Sequence, residues 1–260
     1  MQIFVKNNMQ WFAKPLSDAE AASWNAHPRR KELRTAIGHT GYLLNLAATN
    51  PDFHARSLRS LHEELVRAGQ IHLPCLVLHP GAHMGAGGPA GLRRVAESLD
   101  RVFDELPDHP VRIALETTAG QGTCLGHTFE HLRDLIGAVR EPGRLCVCLD
   151  TAHVFAAGYD LSTAEGTLAT LEEFDRIVGL RHLVALHLND SKAARGSRVD
   201  RHEAIGRGHI GLAAFGVLLH HPKLRRLPMV LETPKGPELN EDRVNLATLR
   251  GLLAKPDGCA

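Results

Sequence analysis

Short apolar runs alternate with longer amphipathic runs along the whole chain, and this alternation restricts the possible folds more than any other feature. The short runs predict seven β-strands: Gln2–Lys6, Leu33–Gly38, Leu73–His79, Val111–Glu116, Leu145–Asp150, His182–Leu188 and Pro228–Glu232. Strict alternation of strand and helix predicts a parallel sheet, which is either closed into a barrel or open and doubly wound.

The intervening segments have the composition and the boundary residues of helices. They predict helices over Ser17–Glu32, Pro51–Ala68, Pro89–Leu106, His127–Arg140, Ser162–Val178, Leu212–His221 and Asn240–Leu253. Asn50 is suited to cap a helix that begins with Pro51, and Gly69 is a natural stop. Ser162 and Glu165 have the spacing of a capping box. Since no linker or break in composition divides the chain, residues 1–260 are predicted to form a single domain.

Composition excludes several classes of protein. The 260 residues are 43% hydrophobic and 23% charged, which is typical of a globular protein and excludes disordered, collagen-like and coiled-coil chains. The net charge of +1 indicates neither a nucleic-acid nor a membrane partner.

The five cysteines form no C-x-x-C pair, and Cys146 and Cys148 are predicted to be buried. Without a signal peptide or an apolar run of about 20 residues, a cytoplasmic protein that is not secreted is expected.

Six successive predicted strands end in, or are followed directly by, a side chain that can ligate a metal. These residues are His39, His79, Glu116, Asp150, His187 and Glu232. A single polar residue at a strand end is usually a cap or a turn former, but six in register are not explained in that way. A barrel brings all the carboxyl ends of its strands to one face, whereas an open sheet spreads them along an edge. The pattern therefore favours both a closed barrel and a metal site.

Three further residues extend this set to nine candidates. His153 lies one turn beyond Asp150, and Asp200 and His202 stand two apart in a long polar loop. Because zinc takes about four ligands, nine ligands with one bridging carboxylate predict about three ions. Nitrogen and oxygen donors without a thiolate favour Zn²⁺, with Mn²⁺ or Fe²⁺ as possible substitutes.

Several segments around these residues resemble a known family. They are L-H-P-G-A-H from Leu78, E-T-T-A-G-Q-G from Glu116, C-L-D-T-A-H from Cys148, H-L-N-D-S-K from His187, G-S-R-V-D-R-H from Gly196, I-G-R-G-H-I-G from Ile205 and V-L-E-T from Val230. Over about Gln2–Leu253 the chain resembles endonuclease IV, the zinc-dependent apurinic/apyrimidinic (AP) endonucleases. The resemblance implies an α/β TIM barrel of the (β/α)8 type. The likeness begins at the family's second strand, so one βα unit is expected upstream of Met1 or missing from a shortened barrel.

The resemblance also implies how three zinc ions are held. His39 and His79 would hold the first, Asp150, His187 and Glu232 the second, and His153, Asp200 and His202 the third. Glu116 would bridge the first and second ions, and Glu232 would orient or deprotonate the attacking water, which makes these two glutamates the catalytic candidates. The implied reaction is hydrolysis of the DNA phosphodiester bond 5′ to an abasic site, together with cleaning of blocked 3′ ends, by a monomer.

The resemblance and the charges suggest which residues contact double-stranded DNA. Tyr42 matches a family residue that inserts at the abasic site, and Met9 stands where the family often has a basic residue. The candidate phosphate contacts are Lys6, Arg198, Arg201 and Arg207. Each of these residues also fits a plainer role, as a packing side chain or a solvated charge.

Two other functions remain open at this point. A divalent-metal sugar isomerase or epimerase also holds one or two ions at strand ends of a similar barrel, but it would not need His153, Asp200 and His202. A non-catalytic DNA-binding or metal-binding protein is the other alternative.

The segment Gly206–Gly211 matches G-x-G-x-x-G, but it follows a polar loop instead of a strand, so we expect a glycine-rich turn into a helix and no dinucleotide site.

Overall fold

The computed structural model describes residues 1–33 and 35–254, so Arg34 in the second predicted strand and Cys259 lie outside the described residues. The chain divides into two compact units whose segments alternate in the sequence. Unit 1 comprises Met1–Glu116, Thr123–Gly126 and Glu130–Cys148, and unit 2 comprises Thr117–Gly122, His127–Phe129 and Leu149–Ala260. The single domain over 1–260 stays a prediction.

Unit 1 contains four parallel strands and most of a fifth. The strands are β1 (Gln2–Phe4), β2 (Ile37–His39), β3 (Cys75–Leu78), β4 (Arg112–Glu116) and β5 (Leu145–Asp150), and each pairs with the next in that order. The helices are α1 (Asp18–Ala26), α2 (Pro28–Glu32), α3 (Pro51–Gln70), α4 (Gly88–Glu105) and all but the first residue of α5 (Phe129–Ala138). In the register, Phe4 lies opposite His39 and His39 opposite Val77, so the ends of these neighbouring strands lie within one residue of each other.

Unit 2 contains the end of β5 and the remaining elements. They are α6 (Thr151–Ala157), α7 (Ala164–Ile177), β6 (Leu183–His187), β7 (Asp190–Ser191), β8 (His202–Glu203), α8 (Leu212–His220), β9 (Met229–Val230) and α9 (Asn240–Leu253). In the sheet order, β6 lies between β5 and β9, and His187 is in parallel register with Val230. Strands β7 and β8 form a separate antiparallel pair.

The strand cores are buried, as expected of parallel strands that are covered on both faces. Every residue of β3 and β5 is buried, and Cys146 and Cys148 are fully buried, as predicted. Burial raises the pKa of the Cys146 thiol far above its ordinary value, so this cysteine is an apolar packing group. All seven predicted strands are present, and β5 and β6 each end in a buried polar residue.

Four details of the helices differ from the sequence prediction. The segment Ser17–Glu32 breaks at His27, because Pro28 disfavours helical backbone in the residue before it. The cap of α7 is Thr163, whose side chain accepts a hydrogen bond from Gly166 N, so the proposed Ser162 capping box is wrong by one residue. Helix α3 continues through Gly69 to Gln70, and α6 was not predicted. None of the helices in the described part of the chain is long and apolar enough to cross a membrane.

Candidate metal centre

Unit 1 brings together three of the predicted ligands at the ends of adjacent parallel strands. Glu116 is the last residue of β4, His39 is the last of β2, and His79 follows β3 directly. The Glu116 Oε2 atom lies 2.8 Å from His79 Nε2 and 3.2 Å from His39 Nε2. One ligand atom from each residue lies within 4.8 Å of the others, which is close enough to hold a metal ion.

The orientation of the His39 ring is fixed by a hydrogen bond from the ring nitrogen that faces away from Glu116. Its Nδ1 donates to the carbonyl oxygen of Thr40 at 2.7 Å, so Nε2 is the atom directed at Glu116. Metal-ligating histidines are commonly held by such a hydrogen bond from the second ring nitrogen. Both His39 and Glu116 are buried, and a carboxylate buried between two imidazoles is suited to neutralise a cation.

A second cluster lies in unit 2, where α6 and the β8 strand meet. Asp150 caps α6 by accepting a hydrogen bond from the backbone of His153, which places that imidazole one turn away. The Asp200 carboxylate lies 3.1 Å from His153 Nε2 and 3.3 Å from His202 Nε2. His202 Nε2 also lies 3.7 Å from Asp150 Oδ2. The structure thus brings together all three residues that were expected to hold the third ion.

The two imidazoles of this cluster face each other in a manner that suits a metal ligand pair. Their Nε2 atoms are 3.4 Å apart. Two ligands that each lie about 2.0–2.1 Å from a tetrahedral zinc are about 3.4 Å from each other. The Nδ1 atoms donate elsewhere, to the carbonyl oxygens of Thr117 and Glu232. Since both Nε2 atoms then point at carboxylates and at one another, the donor set fits a divalent cation.

The pKa values of two residues in this cluster, Asp200 and His202, are strongly shifted. Burial disfavours the charged form of Asp200, but the hydrogen bonds from His153 and His202 outweigh it and hold the pKa of Asp200 well below its ordinary range. Burial would likewise lower the pKa of His202, yet Asp150 and Asp200 raise that pKa to about 9. Without a metal, a proton on His202 therefore balances the carboxylates. A divalent cation would displace this proton on binding.

The last two predicted ligands lie beside Asp150 in unit 2. His187 ends β6, and its Nδ1 lies 3.0 Å from Glu232 Oε2 and 3.7 Å from Asp150 Oδ2. Asp150 and His187 are fully buried, whereas Glu232 is partly exposed. Glu232 is the second residue after β9, and its carboxylate stays accessible. A carboxylate that is held by a buried imidazole and still reaches solvent is placed to orient a water molecule.

Asn189 is a site residue that the sequence prediction missed. Its side-chain amide donates to Asp150 Oδ2 at 2.6 Å, and its side-chain oxygen accepts from the backbone of Glu232 at 2.8 Å. Asn189 is fully buried, and its own backbone N–H donates to Thr151 Oγ1. A polar residue two positions beyond the strand-end His187 was the only indication in the sequence. The side chain connects two predicted ligands and orients both.

Replacing Asn189 by alanine is expected to weaken metal binding by about 10- to 100-fold, because Asp150 loses the hydrogen bond that orients its Oδ2 atom. The measurement is competition for zinc with a chromogenic chelator, monitored for the wild type and the variant. Asn240→Ala, at an exposed position at the start of α9, is the matched control and should bind like the wild type. Equal zinc affinity for Asn189→Ala and the wild type would show that Asn189 does not position Asp150.

Comparison with known proteins identifies the family. Residues 1–251 match the family described as a xylose isomerase-like TIM barrel. The chain is 49% identical to probable endonuclease 4 of Chloroflexus aggregans over 253 residues, which is 97% of this chain and 88% of that protein. It is 44% identical to probable endonuclease 4 of Geobacter sulfurreducens, over 98% of this chain and 86% of the relative. The chain belongs to the endonuclease IV family.

Solved structures agree with this family and with the fold. The crystal structure of endonuclease IV from Thermus thermophilus matches with a TM-score of 0.84 and 35% identity, over 97% of this chain and 88% of that one. A D-tagatose 3-epimerase-like protein matches with a TM-score of 0.72, over 97% of this chain and 88% of that one, but at 17% identity this likeness shows the fold alone. The predicted fold class, an α/β TIM barrel, is confirmed.

The residues expected to contact DNA are exposed with one exception. Met9 is 64% exposed and Tyr42 is 54% exposed, and the Tyr42 ring packs edge-on against Phe4. Exposed apolar side chains of this size are available to a partner surface. Three arginines in unit 2 are exposed as well: Arg198, Arg201 and Arg207.

Lys6 is the exception, and its assignment as a phosphate contact needs correction. The Lys6 side chain is 1% exposed, and its ammonium lies 3.1 Å from the buried carboxylate of Glu64. It also donates to the backbone oxygen of Gln10. An ammonium that is buried and paired in this way cannot reach a DNA backbone.

The glycine-rich segment Gly206–Gly211 wraps around an internal carboxylate. Asp190 is fully buried and accepts hydrogen bonds from the backbone N–H groups of Gly206 and Ile210, each at 2.9 Å. A Cβ atom on Gly208 would lie 2.3 Å from the carbonyl oxygen of Ser191, so no side chain fits there. Helix α8 begins directly afterwards. The prediction of a glycine-rich turn into a helix is confirmed, and the segment binds a carboxylate of its own chain.

Proposed function

We propose that this chain is an AP endonuclease that hydrolyses the phosphodiester bond 5′ to an abasic site in duplex DNA. The products are a 3′-hydroxyl and a 5′-deoxyribose phosphate, and the same centre removes blocking groups from 3′ ends. The observation that carries the proposal is the cluster of His153, Asp200 and His202, whose donor atoms lie 3.1–3.4 Å apart. A sugar isomerase with one or two ions has no use for this additional set of ligands.

The proposed cofactor is zinc, three ions per chain. The nine ligands are those that the family resemblance implies: His39, His79, Glu116, Asp150, His153, His187, Asp200, His202 and Glu232. Support comes from the separate clusters in each unit, in which histidine nitrogens and carboxylate oxygens lie within 2.8–3.7 Å. The absence of thiolates among these ligands favours zinc over softer metals, and Mn²⁺ or Fe²⁺ could substitute.

The metals would supply Lewis-acid stabilisation of the phosphoryl oxygens and a lowered pKa for a coordinated water. The protein's own side chains perform the remaining tasks. Glu232, partly exposed and held by His187 at 3.0 Å, orients the attacking water and accepts its proton. Glu116 is fully buried between the imidazoles of His39 and His79, and its negative charge is thereby held beside the proposed ion. The Asn189 amide prevents Asp150 from rotating away.

The partner in this proposal is double-stranded DNA that contains abasic or 3′-blocked lesions. Tyr42 and Met9 would enter the duplex at the lesion, where a missing base leaves an apolar gap between neighbouring base pairs. Arg198, Arg201 and Arg207 would contact phosphates. We further propose that the protein acts as a monomer in the cytoplasm.

The direct test is incision of a duplex that carries one synthetic abasic site, with an undamaged duplex of the same sequence as control. The metal-loaded protein should cut only the damaged strand, immediately 5′ to the lesion, and a strong chelator should abolish the cut. Adding zinc back after the chelator is removed should restore the cut. An uncut abasic duplex, together with interconversion of a ketose and an aldose, would favour the isomerase instead.

Arg207 offers a quantitative test of the phosphate contacts. Arg207→Gln should weaken binding to abasic and undamaged duplexes alike, because a phosphate contact carries no sequence information. The slope of log affinity against log salt should fall by about one unit. Arg226, another exposed arginine, lies between α8 and β9, and Arg226→Gln is the control that removes the same charge elsewhere. Identical salt slopes for the two variants would exclude a phosphate contact at Arg207.

A further inference from the structure

A buried ion pair in unit 1 stands directly beneath two loops that carry exposed side chains. Lys6 follows β1 and Glu64 lies on α3, and their charged atoms are 3.1 Å apart. Neither side chain reaches solvent, since they are 1% and 0% exposed. The Met9 loop (residues 7–11) follows Lys6 in the sequence, and the Tyr42 loop (residues 40–43) follows β2.

Each member of the pair holds one of these loops. The Lys6 ammonium donates to the backbone oxygen of Gln10 at 2.6 Å, in the Met9 loop. The Glu64 carboxylate accepts from the backbone N–H of Gly41 at 2.9 Å, in the Tyr42 loop. The ion pair therefore ties the backbones of both loops to helix α3.

The two loops are also bonded to each other and to the same helix. The backbone N–H of Tyr42 donates to the carbonyl oxygen of Asn8 at 3.0 Å. Ser60, one turn before Glu64 on α3, donates to the carbonyl oxygen of Trp11 at 2.8 Å and lies within hydrogen-bond distance of the Glu64 carboxylate. These contacts leave the spacing of the two loops little freedom.

The packing around the pair has no spare space. A Cβ atom on Gly41 would lie 2.8 Å from Lys6 Nζ and 3.2 Å from the carbonyl oxygen of Asn8. The Tyr42 loop can approach the ion pair this closely only because residue 41 is glycine. Burial raises the pKa of the Glu64 carboxyl, and the Lys6 ammonium acts against that rise.

A buried ion pair is a poor means of stabilising a fold, because removing two charges from water costs about as much as their attraction returns. An apolar pair of the same volume would pack at least as well. The presence of the Lys6–Glu64 ion pair is better explained by the two loops that it holds. Hydrogen bonds from charged groups to backbone atoms define positions more sharply than apolar contacts do.

We propose that Lys6 and Glu64 form a positioning pair that sets the spacing of Met9 and Tyr42, and thereby the ability of the protein to distinguish an abasic site from intact duplex. The inference rests on the proposed function. Neither residue touches DNA. Their effect is transmitted through Gln10 and Gly41 to the two exposed side chains.

The experiment compares Glu64→Gln with Glu63→Gln in the full-length, metal-loaded protein. Glu63 is the adjacent residue on α3 and pairs with the exposed Arg59, so its replacement removes the same charge away from the buried ion pair. Affinity for abasic and for undamaged duplex is measured by fluorescence anisotropy. KM, kcat and bound metal are measured on the same preparations.

For Glu64→Gln we expect the preference for abasic over undamaged duplex to fall at least tenfold and KM to rise by a similar factor. The value of kcat should stay within about threefold, and the metal content should not change, because no proposed ligand is altered. Glu63→Gln should match the wild type in every measurement. A purely structural role would lower the affinity for both duplexes together and would leave their ratio unchanged.

A second variant covers the case in which Glu64→Gln does not fold. The double variant Lys6→Met, Glu64→Gln leaves no buried charge unpaired, and the proposal predicts the same loss of preference. An unchanged preference in whichever variant folds would overturn the proposal. Failure of the wild type to cut an abasic duplex would contradict the proposed function instead, and the ratio of the two affinities would still decide the role of this pair.

Discussion

Replacing Glu116 by glutamine is expected to lower the rate of abasic-site incision by at least about 10³-fold and to reduce the number of bound ions. Glutamine has the same shape but carries no charge, and its amide cannot replace an anionic oxygen that lies 2.8 Å and 3.2 Å from two imidazole nitrogens. Because Glu116 is fully buried, solvent cannot substitute for the lost charge. Single-turnover incision and elemental analysis of the same sample measure the two effects.

Glu105→Gln is a suitable control, since Glu105 ends α4 and forms a surface ion pair with Arg101. Its metal content and its incision rate should equal those of the wild type. Near-normal turnover of Glu116→Gln, with a full complement of metal, would reject the proposed role of Glu116 as a metal ligand.

The second large effect is expected from Asp200→Asn. The Asp200 carboxylate contacts both His153 and His202, and these contacts hold its pKa well below the ordinary range. The neutral amide removes the negative charge that balances a cation held between the two imidazoles. We expect the bound metal to fall from three ions to two and incision to fall by about 10²- to 10³-fold. Elemental analysis of the purified variant, with incision rates in parallel, measures both.

Glu203→Gln is the matched control for Asp200→Asn. Glu203 is the neighbour of His202 in β8, but its carboxylate pairs with Lys192 and accepts from the backbone of Ala204. Its replacement should leave the metal content at three. A variant Asp200→Asn that retains three ions and full activity would exclude the proposed third site, and with it the main argument against a sugar isomerase.

Much of the scaffold was predictable because its determinants are local. A short, continuous apolar run such as Leu145–Leu149 is typical of a strand that is buried in a parallel sheet, and the strand ends at Asp150, the first charged residue after the run. The position of Asp150 therefore follows directly from the pattern of the sequence. Asp150 also caps α6, and that short helix escaped prediction because its seven residues are too few to show a helical period.

Other features depend on contacts between distant residues and could not be predicted from local sequence. Lys6 has the appearance of an exposed cation near a strand end, and only the fold reveals that Glu64 on another element takes it into the interior. Asn189 is similar, since a buried amide that bonds Asp150 and the backbone of Glu232 has no local pattern. Breaks such as His27–Pro28 were in principle visible, because proline restricts the residue before it.

The most direct test of the proposed activity is to titrate zinc into metal-free protein and to follow bound metal and incision of an abasic duplex in the same samples. We expect saturation at three ions per chain, with cutting 5′ to the abasic site appearing only as the third ion binds. Saturation at one or two ions, or a fully loaded protein that leaves the abasic duplex intact, would contradict this expectation.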